Sequence, residues 1–252
     1  MILGLEFPPI SHVVEWPAIF FKDTPFAVNK VVILMWVSAL IVFLVFAAAR
    51  GQKLVPTGAQ NVAETAIEFI DDQIVLQTMG PEGLRFTPFL LTLFTFIFTC
   101  NIWGLIPGAQ MPVNARIALP VFMALLVYVI YHTVGIVRHG PIKYMKDIMF
   151  LPGVPKVMYI LLTPIELITK FIPQPLSLAV RLFANLLAGH LLLVSFAVIT
   201  QALFTATIIG AALPLGLLIF LYGFELLVAI LQAYIFTILC AVYIDSAMHP
   251  AH

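Results

Sequence analysis

A single arginine inside a long apolar run constrains this chain more than any other feature. The run extends from Pro175 to Val194, and Arg181 is its only lysine, arginine, aspartate or glutamate. A fixed cation at bilayer depth is costly, so such residues usually face a partner or a water-filled cavity. Arg181 therefore requires a counter-charge, and the rest of the chain is predicted to be the scaffold that presents it.

Helical spacing gives this run two polar faces. Positions three and four apart share a face, which places Ser177, Arg181 and Asn185 together. The remaining residues of that face are small, which lets another helix approach closely. His190 follows Arg181 by nine residues, which is about 180° around the helix at ~100° per residue. One face is thus predicted to carry Arg181 and the opposite face His190.

The composition settles the class of protein. Hydrophobic residues make up 62% of the chain and charged residues only 10%, far outside the range of soluble globular proteins. We predict an all-α integral membrane protein with a single membrane domain over residues 1–252. The formal net charge is zero, so nothing indicates nucleic acid as a partner.

Cys100 and Cys240 lie in apolar runs without metal-ligand spacing, and we expect neither a metal site nor a cofactor.

The first part of the chain predicts three membrane spans and one amphipathic helix. Each span has about the 20 residues that a bilayer crossing needs. The predicted spans are residues 27–49, 86–106 and 117–137. Between the first two, residues 59–79 are predicted to form an amphipathic helix with one acidic side. Its apolar side consists of Val62, Ala66, Phe69, Ile70 and Ile74. This segment is predicted to be an interfacial helix with a solvated acidic face or a docking surface for another subunit.

The last third consists of two apolar runs that are each too long for one upright span. They cover residues 157–203 and 205–245. At a rise of about 1.5 Å per residue, residues 176–203 alone extend ~42 Å as a helix, whereas the hydrocarbon core is ~30 Å thick. Either the helices tilt by roughly 45°, beyond the average of about 20°, or the runs divide at Pro173 and at Pro214–Gly216. Periodicity does not decide between these alternatives.

The final run carries two polar residues one heptad apart on one helical stripe. Glu225 and Gln232 stand in a segment that is otherwise apolar. Polar residues are costly inside a membrane, so they usually have a partner or a function there. If the two long helices pack antiparallel, the His190 face of one can meet the Glu225–Gln232 stripe of the other. Imidazole beside a carboxyl group is suited to handling protons. The alternative is a buried interhelical hydrogen bond with no role in transport.

These polar residues also carry a family resemblance. The string Arg181-Leu182-Phe183-Ala184-Asn185-(x2)-Ala188-Gly189-His190 closely resembles the signature of subunit a of the rotary F-type ATP synthases. The resemblance extends to Glu225-(x6)-Gln232-Ala233-Tyr234-Ile235-Phe236 and, more loosely, from about residue 26 to the end of the chain. For the last third it implies two long, steeply tilted antiparallel helices beside a rotor. It therefore favours about five transmembrane helices in all.

The resemblance also implies a function and the residues that perform it. The subunit would be the stator of the membrane sector and would provide two proton half-channels, without being an enzyme on its own. Arg181 would face the carboxylate of a rotor ring of small hairpin subunits, and peripheral-stalk subunits would be further partners. The outer path would include Asn101, Asn185, His190, Glu225 and Gln232. The inner path would include Glu166 and Ser177, although Glu166 and Lys170 are also spaced for a simple ion pair on the helix surface.

The basic residues predict the orientation in the membrane. Cytoplasmic loops carry an excess of lysine and arginine. The richer side of this chain holds Arg50, Lys53, Arg85, Arg138, Lys143, Lys146 and Lys156, and the other side Lys22, Lys30 and Arg116. The N-terminus is thus predicted outside and the C-terminus in the cytoplasm. We expect a bacterial plasma membrane, with the mitochondrial inner membrane as the alternative.

Two other functions stay open at this point. A secondary transporter could use a midplane arginine–carboxylate site, but such folds usually show internal repeats, and the sequence has no evident repeat. A structural subunit of a respiratory complex could use Arg181 and Glu225 only to hold helices together. Isolation with a ring of small hairpin subunits would distinguish the three.

Overall fold

The computed structural model describes residues 17–21, 27–48, 58–106, 109, 111–149, 155, 158–206 and 208–249. Two predicted ranges, 27–49 and 157–203, each have one end residue outside the described residues. The basic residues Lys22, Arg50, Lys53 and Lys156 also lie outside the described residues. The longer helices of the described residues are α1 (Lys30–Ala48), α2 (Ala59–Ile70), α3 (Thr87–Ile102), α4 (Ala118–His139), α5 (Pro141–Met149), α6 (Tyr159–Phe171), α7 (Pro173–Ala206) and α8 (Ile208–Met248).

Five helical stretches of the described chain are long and apolar enough to cross a membrane. They are Lys30–Ala47, Pro81–Ile102, Ala118–His139, Leu161–Phe204 and Gly210–Met248. A helix satisfies its backbone hydrogen bonds internally, which is what a segment in hydrocarbon requires. The predicted all-α fold class, with about five spans and long C-terminal helices, is confirmed.

The amphipathic segment forms α2 and continues beyond it. After Ile70 the chain makes a π-helical turn, Asp71–Val75, and a short α-helical turn, Leu76–Thr78. The segment ends at Gly80, whose φ of 64° favours glycine. Ile74 and Val75 are both fully buried, because the wider π-turn shifts the helix register by one residue. Of the apolar side predicted from sequence, Ile70 and Ile74 are buried within the protein, whereas Val62 and Phe69 lie on its surface. The interfacial position of this helix stays a prediction.

The two long apolar runs behave differently from each other. The first divides at Ile172, which lies in a turn between α6 and α7, so residues 157–203 do not form one uninterrupted helix. Pro173 begins α7, where its missing N–H costs nothing, and a proline disfavours helical geometry in the residue before it. The second run continues through Pro214 as one helix of 41 residues. The antiparallel packing and the steep tilt of the runs stay predictions.

The helices contribute to two compact units of chain. The first unit comprises residues 1–47, 95–116 and 182–233, and the second comprises residues 48–94, 117–181 and 234–252. In the first unit Trp103 donates its indole N–H to the buried hydroxyl of Ser38 at 2.7 Å. The single membrane domain predicted over residues 1–252 stays a prediction.

In the second unit a glycine lets α5 pack closely on α4. A Cβ atom on Gly135 would lie 2.2 Å from the ring of Tyr144, so no larger residue fits there without displacing that ring. The Tyr144 hydroxyl lies 3.0 Å from Nδ1 of His132. Burial raises the pKa of Tyr144 to about 12, so this hydroxyl stays protonated near neutral pH.

Candidate functional site

The buried polar residues of the last helix lie on one stripe. In the first unit, Glu225, Ala229 and Gln232 of α8 are 5%, 0% and 6% exposed. Their spacing of four and three residues places them on one face of the helix. Phe224, Leu226 and Leu227 lie exposed on the remaining surface. The stripe predicted from sequence is therefore the side of α8 that turns into the protein.

The carboxyl group of Glu225 lies against Gly189 of α7. A Cβ atom built on Gly189 would stand 3.5 Å from Oε1 of Glu225. The glycine therefore leaves space beside the carboxyl group, which a side chain would occupy. Neither Glu225 oxygen has a hydrogen-bond partner within the described part of the chain. Buried polar groups are normally hydrogen-bonded, and an unpaired one points to a functional role or to water.

His190 follows Gly189 and is also buried, at 5% exposed. Its Nδ1 has no hydrogen-bond partner among the residues that the structure describes. Both Glu225 oxygens are unpartnered too, so no direct hydrogen bond joins the two side chains. The pairing of His190 with Glu225 stays a prediction, and it requires either a bridging water or a change of side-chain rotamer.

Asn101 is buried in contact with the same stripe. Its Nδ2 donates a hydrogen bond of 3.2 Å to the main-chain carbonyl of Ala229. Its Oδ1 accepts one of 2.6 Å from Nδ2 of Asn114. Asn114 stands in the 3₁₀ turn Val113–Ala115 and is not predicted from the sequence. An asparagine in a proline-containing loop is typical of an ordinary turn, and nothing in its spacing distinguished it.

Arg181 stands on an exposed face of α7. Ser177, Arg181 and Asn185 are all exposed, while Leu178, Leu182 and Leu186 on the other side are at most 3% exposed. In the described residues Arg181 takes part in no salt bridge. The counter-charge that the sequence analysis required is therefore not supplied by a described residue of this chain.

Glu166 and Lys170 of α6 form an ion pair. Their Oε1 and Nζ atoms are 3.2 Å apart, and both side chains are partly exposed. This is the simple helix-surface pair that the spacing allowed. A role for Glu166 in an inner path stays a prediction, as does that of Ser177.

Five candidate membrane spans in the described part of the chain, with a buried carboxyl group in one of the long apolar helices, define an integral membrane protein with ionisable groups in its spans. The protein-family model described as ATP synthase A chain matches residues 32–245. The chain belongs to this family, as the resemblance indicated.

Individual relatives agree with the family match. A protein of Rhodococcus erythropolis is 39% identical over 92% of this chain and 87% of its own length. One of Frankia alni is 40% identical over 99% of this chain and 88% of its own. One of Xanthobacter autotrophicus is 40% identical over 89% of each chain. Each of the three is named ATP synthase subunit a.

Proposed function

We propose that this chain is the stator subunit in the membrane sector of a rotary ATP synthase and conducts protons to and from a rotor. The observation that carries the proposal is Arg181, an exposed arginine on an apolar helix with no salt bridge in the described residues. Such a cation requires a partner in another chain. The name shared by the relatives, ATP synthase subunit a, supports the same function.

Arg181 acts as a fixed positive charge beside a carboxyl group of the rotor. A guanidinium stays protonated under essentially all conditions, whereas a buried lysine can lose its proton. At ~4 Å and an effective dielectric constant of ~20, its attraction for a carboxylate is about 4 kcal/mol. Desolvation of both groups offsets part of this, so a rotor carboxylate is deprotonated beside Arg181 without being trapped. The same charge prevents protons from passing directly between the two half-channels.

The outer half-channel runs past the buried polar residues of the first unit. Protons taken up from outside pass Asn101, His190, Glu225 and Gln232, and Asn185 stands on the exposed face near the rotor. The unpartnered atoms of Glu225 and His190 support this assignment, because buried unpaired acceptors bind water. Water between them provides the hydrogen-bonded connection that a moving proton requires.

The inner half-channel releases protons to the cytoplasm past Ser177 and Glu166. Ser177 is exposed on the Arg181 face of α7, one turn before the arginine. Glu166 forms an ion pair with Lys170 at 3.2 Å, and this pair places a partly exposed carboxyl group near the start of α7. The chain catalyses no reaction on its own, since ATP is made in a part of the complex that it does not contain.

A cross-linking experiment tests the proposed partner. Ala184 is exposed one turn after Arg181, so an Ala184→Cys variant carrying a photoreactive group is expected to cross-link to one small hairpin subunit of a rotor ring. Phe122 of α4 is 59% exposed on another span, and Phe122→Cys with the same reagent is the matched control. A transporter or a structural subunit would give no ring adduct at Ala184, and that result would contradict the proposal.

Labelling tests the proposed orientation, with the N-terminus outside and the C-terminus in the cytoplasm of a bacterial cell. Ile117 and Lys143 are exposed near opposite ends of α4. In a background with Cys100 and Cys240 replaced by alanine, a membrane-impermeant maleimide added to intact cells is expected to label Ile117→Cys only. Inverted vesicles are expected to show label at Lys143→Cys only. The opposite pattern would reverse the orientation.

A further inference from the structure

Two buried asparagines of the first unit form a hydrogen-bonded series that ends on α8. Asn101 and Asn114 are 2% and 1% exposed. The main-chain carbonyl of Ala229 can only accept, so the Asn101 group that approaches it at 3.2 Å is the amide nitrogen. The oxygen of Asn101 then accepts from the amide nitrogen of Asn114 at 2.6 Å. The hydrogen bonds therefore run in one direction, from Asn114 through Asn101 to Ala229.

This direction leaves the side-chain oxygen of Asn114 without a partner. It is buried and accepts no hydrogen bond from any residue described by the structure. Buried amide oxygens of this kind are commonly satisfied by an ordered water. Ala229, at the other end of the series, lies between Glu225 and Gln232 on the buried stripe of α8. The series thus connects an unpartnered acceptor in the loop to the stripe that holds the buried carboxyl group.

We propose that Asn114 is a positioning residue of the outer path, which holds Asn101 in its orientation and binds a water at its own side-chain oxygen. The inference rests on the proposed function, because it concerns the path by which protons reach Glu225. In this arrangement Asn101 cannot rotate without losing the bond from Asn114. The water on Asn114 extends the polar path from the stripe toward the loop between α3 and α4.

The alternative is that the series only fastens this loop to α8, and the variants are chosen to distinguish the two. Asn114→Leu fills a similar volume without donor or acceptor, whereas Asn114→Ser keeps a polar group that can bind water. Ser38→Ala is the matched control, because it also removes a buried hydrogen bond of this unit, the one from Trp103. A purely structural role predicts similar losses for Asn114→Leu and Ser38→Ala.

The first measurement is proton uptake by the complete complex in vesicles, at several values of external pH. Asn114→Leu is expected to slow uptake about tenfold, Asn114→Ser to recover most of the rate, and Ser38→Ala to leave it nearly unchanged. Asn101→Leu is expected to have the same effect as Asn114→Leu, and the double variant to be no slower than either. Normal uptake in Asn114→Leu while Asn101→Leu is slow would overturn the inference and leave the proposed function standing. If neither asparagine variant nor Arg181→Ala affected uptake, the proposed function would fail as well.

The second measurement does not require that the leucine variant fold. In the background with Cys100 and Cys240 replaced by alanine, silver ions are expected to inhibit the complex bearing Asn114→Cys, because they reach thiols through water. Leu186→Cys is the control, at a position of α7 that is 1% exposed and apolar. Equal silver sensitivity of the two variants, or none in either, would overturn the water site at Asn114.

Discussion

Replacement of Arg181 by alanine is expected to abolish ATP synthesis driven by a proton gradient while the subunit remains folded and assembled. The side chain is exposed and forms no salt bridge with a described residue, so its loss breaks no ion pair in the part of the chain that the structure describes. In the proposed mechanism, what disappears is the positive potential that deprotonates a rotor carboxyl group, with an attraction of about 4 kcal/mol at ~4 Å. Without that potential, protons are also expected to leak passively between the half-channels.

The measurement is ATP synthesis and passive proton flux in vesicles that contain the complete complex. Arg138→Ala is the matched control, since it removes an arginine from the end of α4 and breaks only a surface ion pair with Glu82, which contributes little to stability. Arg181→Lys tests whether charge alone is sufficient. We expect this variant to be largely inactive, because a lysine that is desolvated against the proposed rotor can lose its proton. Normal synthesis by Arg181→Ala would refute the mechanism.

Exchange of His190 and Glu225 is expected to restore proton uptake that either single replacement loses. Both side chains are buried with unpartnered polar atoms, and the Glu225 carboxyl lies beside Gly189, the neighbour of His190. In the proposed outer path a proton passes between the two groups through water, so removal of either one interrupts that path. We therefore expect Glu225→Gln to slow uptake at least about tenfold and to change its dependence on external pH.

Uptake is compared in His190→Glu, Glu225→His and the double variant, each in the complete complex. Thr237→Val is the control, because it changes another fully buried polar side chain further along α8. If the residues are coupled, the logarithmic loss of uptake rate in the double variant is smaller than the sum of the two single losses. Simple additivity would mean that the residues act independently, and the paired outer path would then be wrong although the role of Arg181 would be unaffected.

The sequence alone was enough to predict the properties that depend on residues close together in the chain. Long apolar runs predict membrane helices because each residue contributes its own transfer free energy, and the two spans that became α1 and α4 follow from this alone. The faces of α7 follow from helical geometry: Arg181 and Asn185 lie exposed, and Leu182 and Leu186 lie buried. Glu225 and Gln232 were identified from sequence because polar residues are costly in an apolar helix.

Tertiary structure decided the properties that depend on residues far apart in the chain. Asn101 and Ala229 are 128 positions apart, and no local pattern indicates that an amide of one span meets a carbonyl of another. The local sequence around Asn114 is that of an ordinary turn, and only its hydrogen bond to Asn101 distinguishes it. Hydropathy likewise did not show that the chain would divide before Pro173 but continue through Pro214, because neighbouring helices compensate a proline that breaks one hydrogen bond. Local sequence determines which segments enter the membrane, whereas the pairing of buried polar atoms depends on which helices pack together.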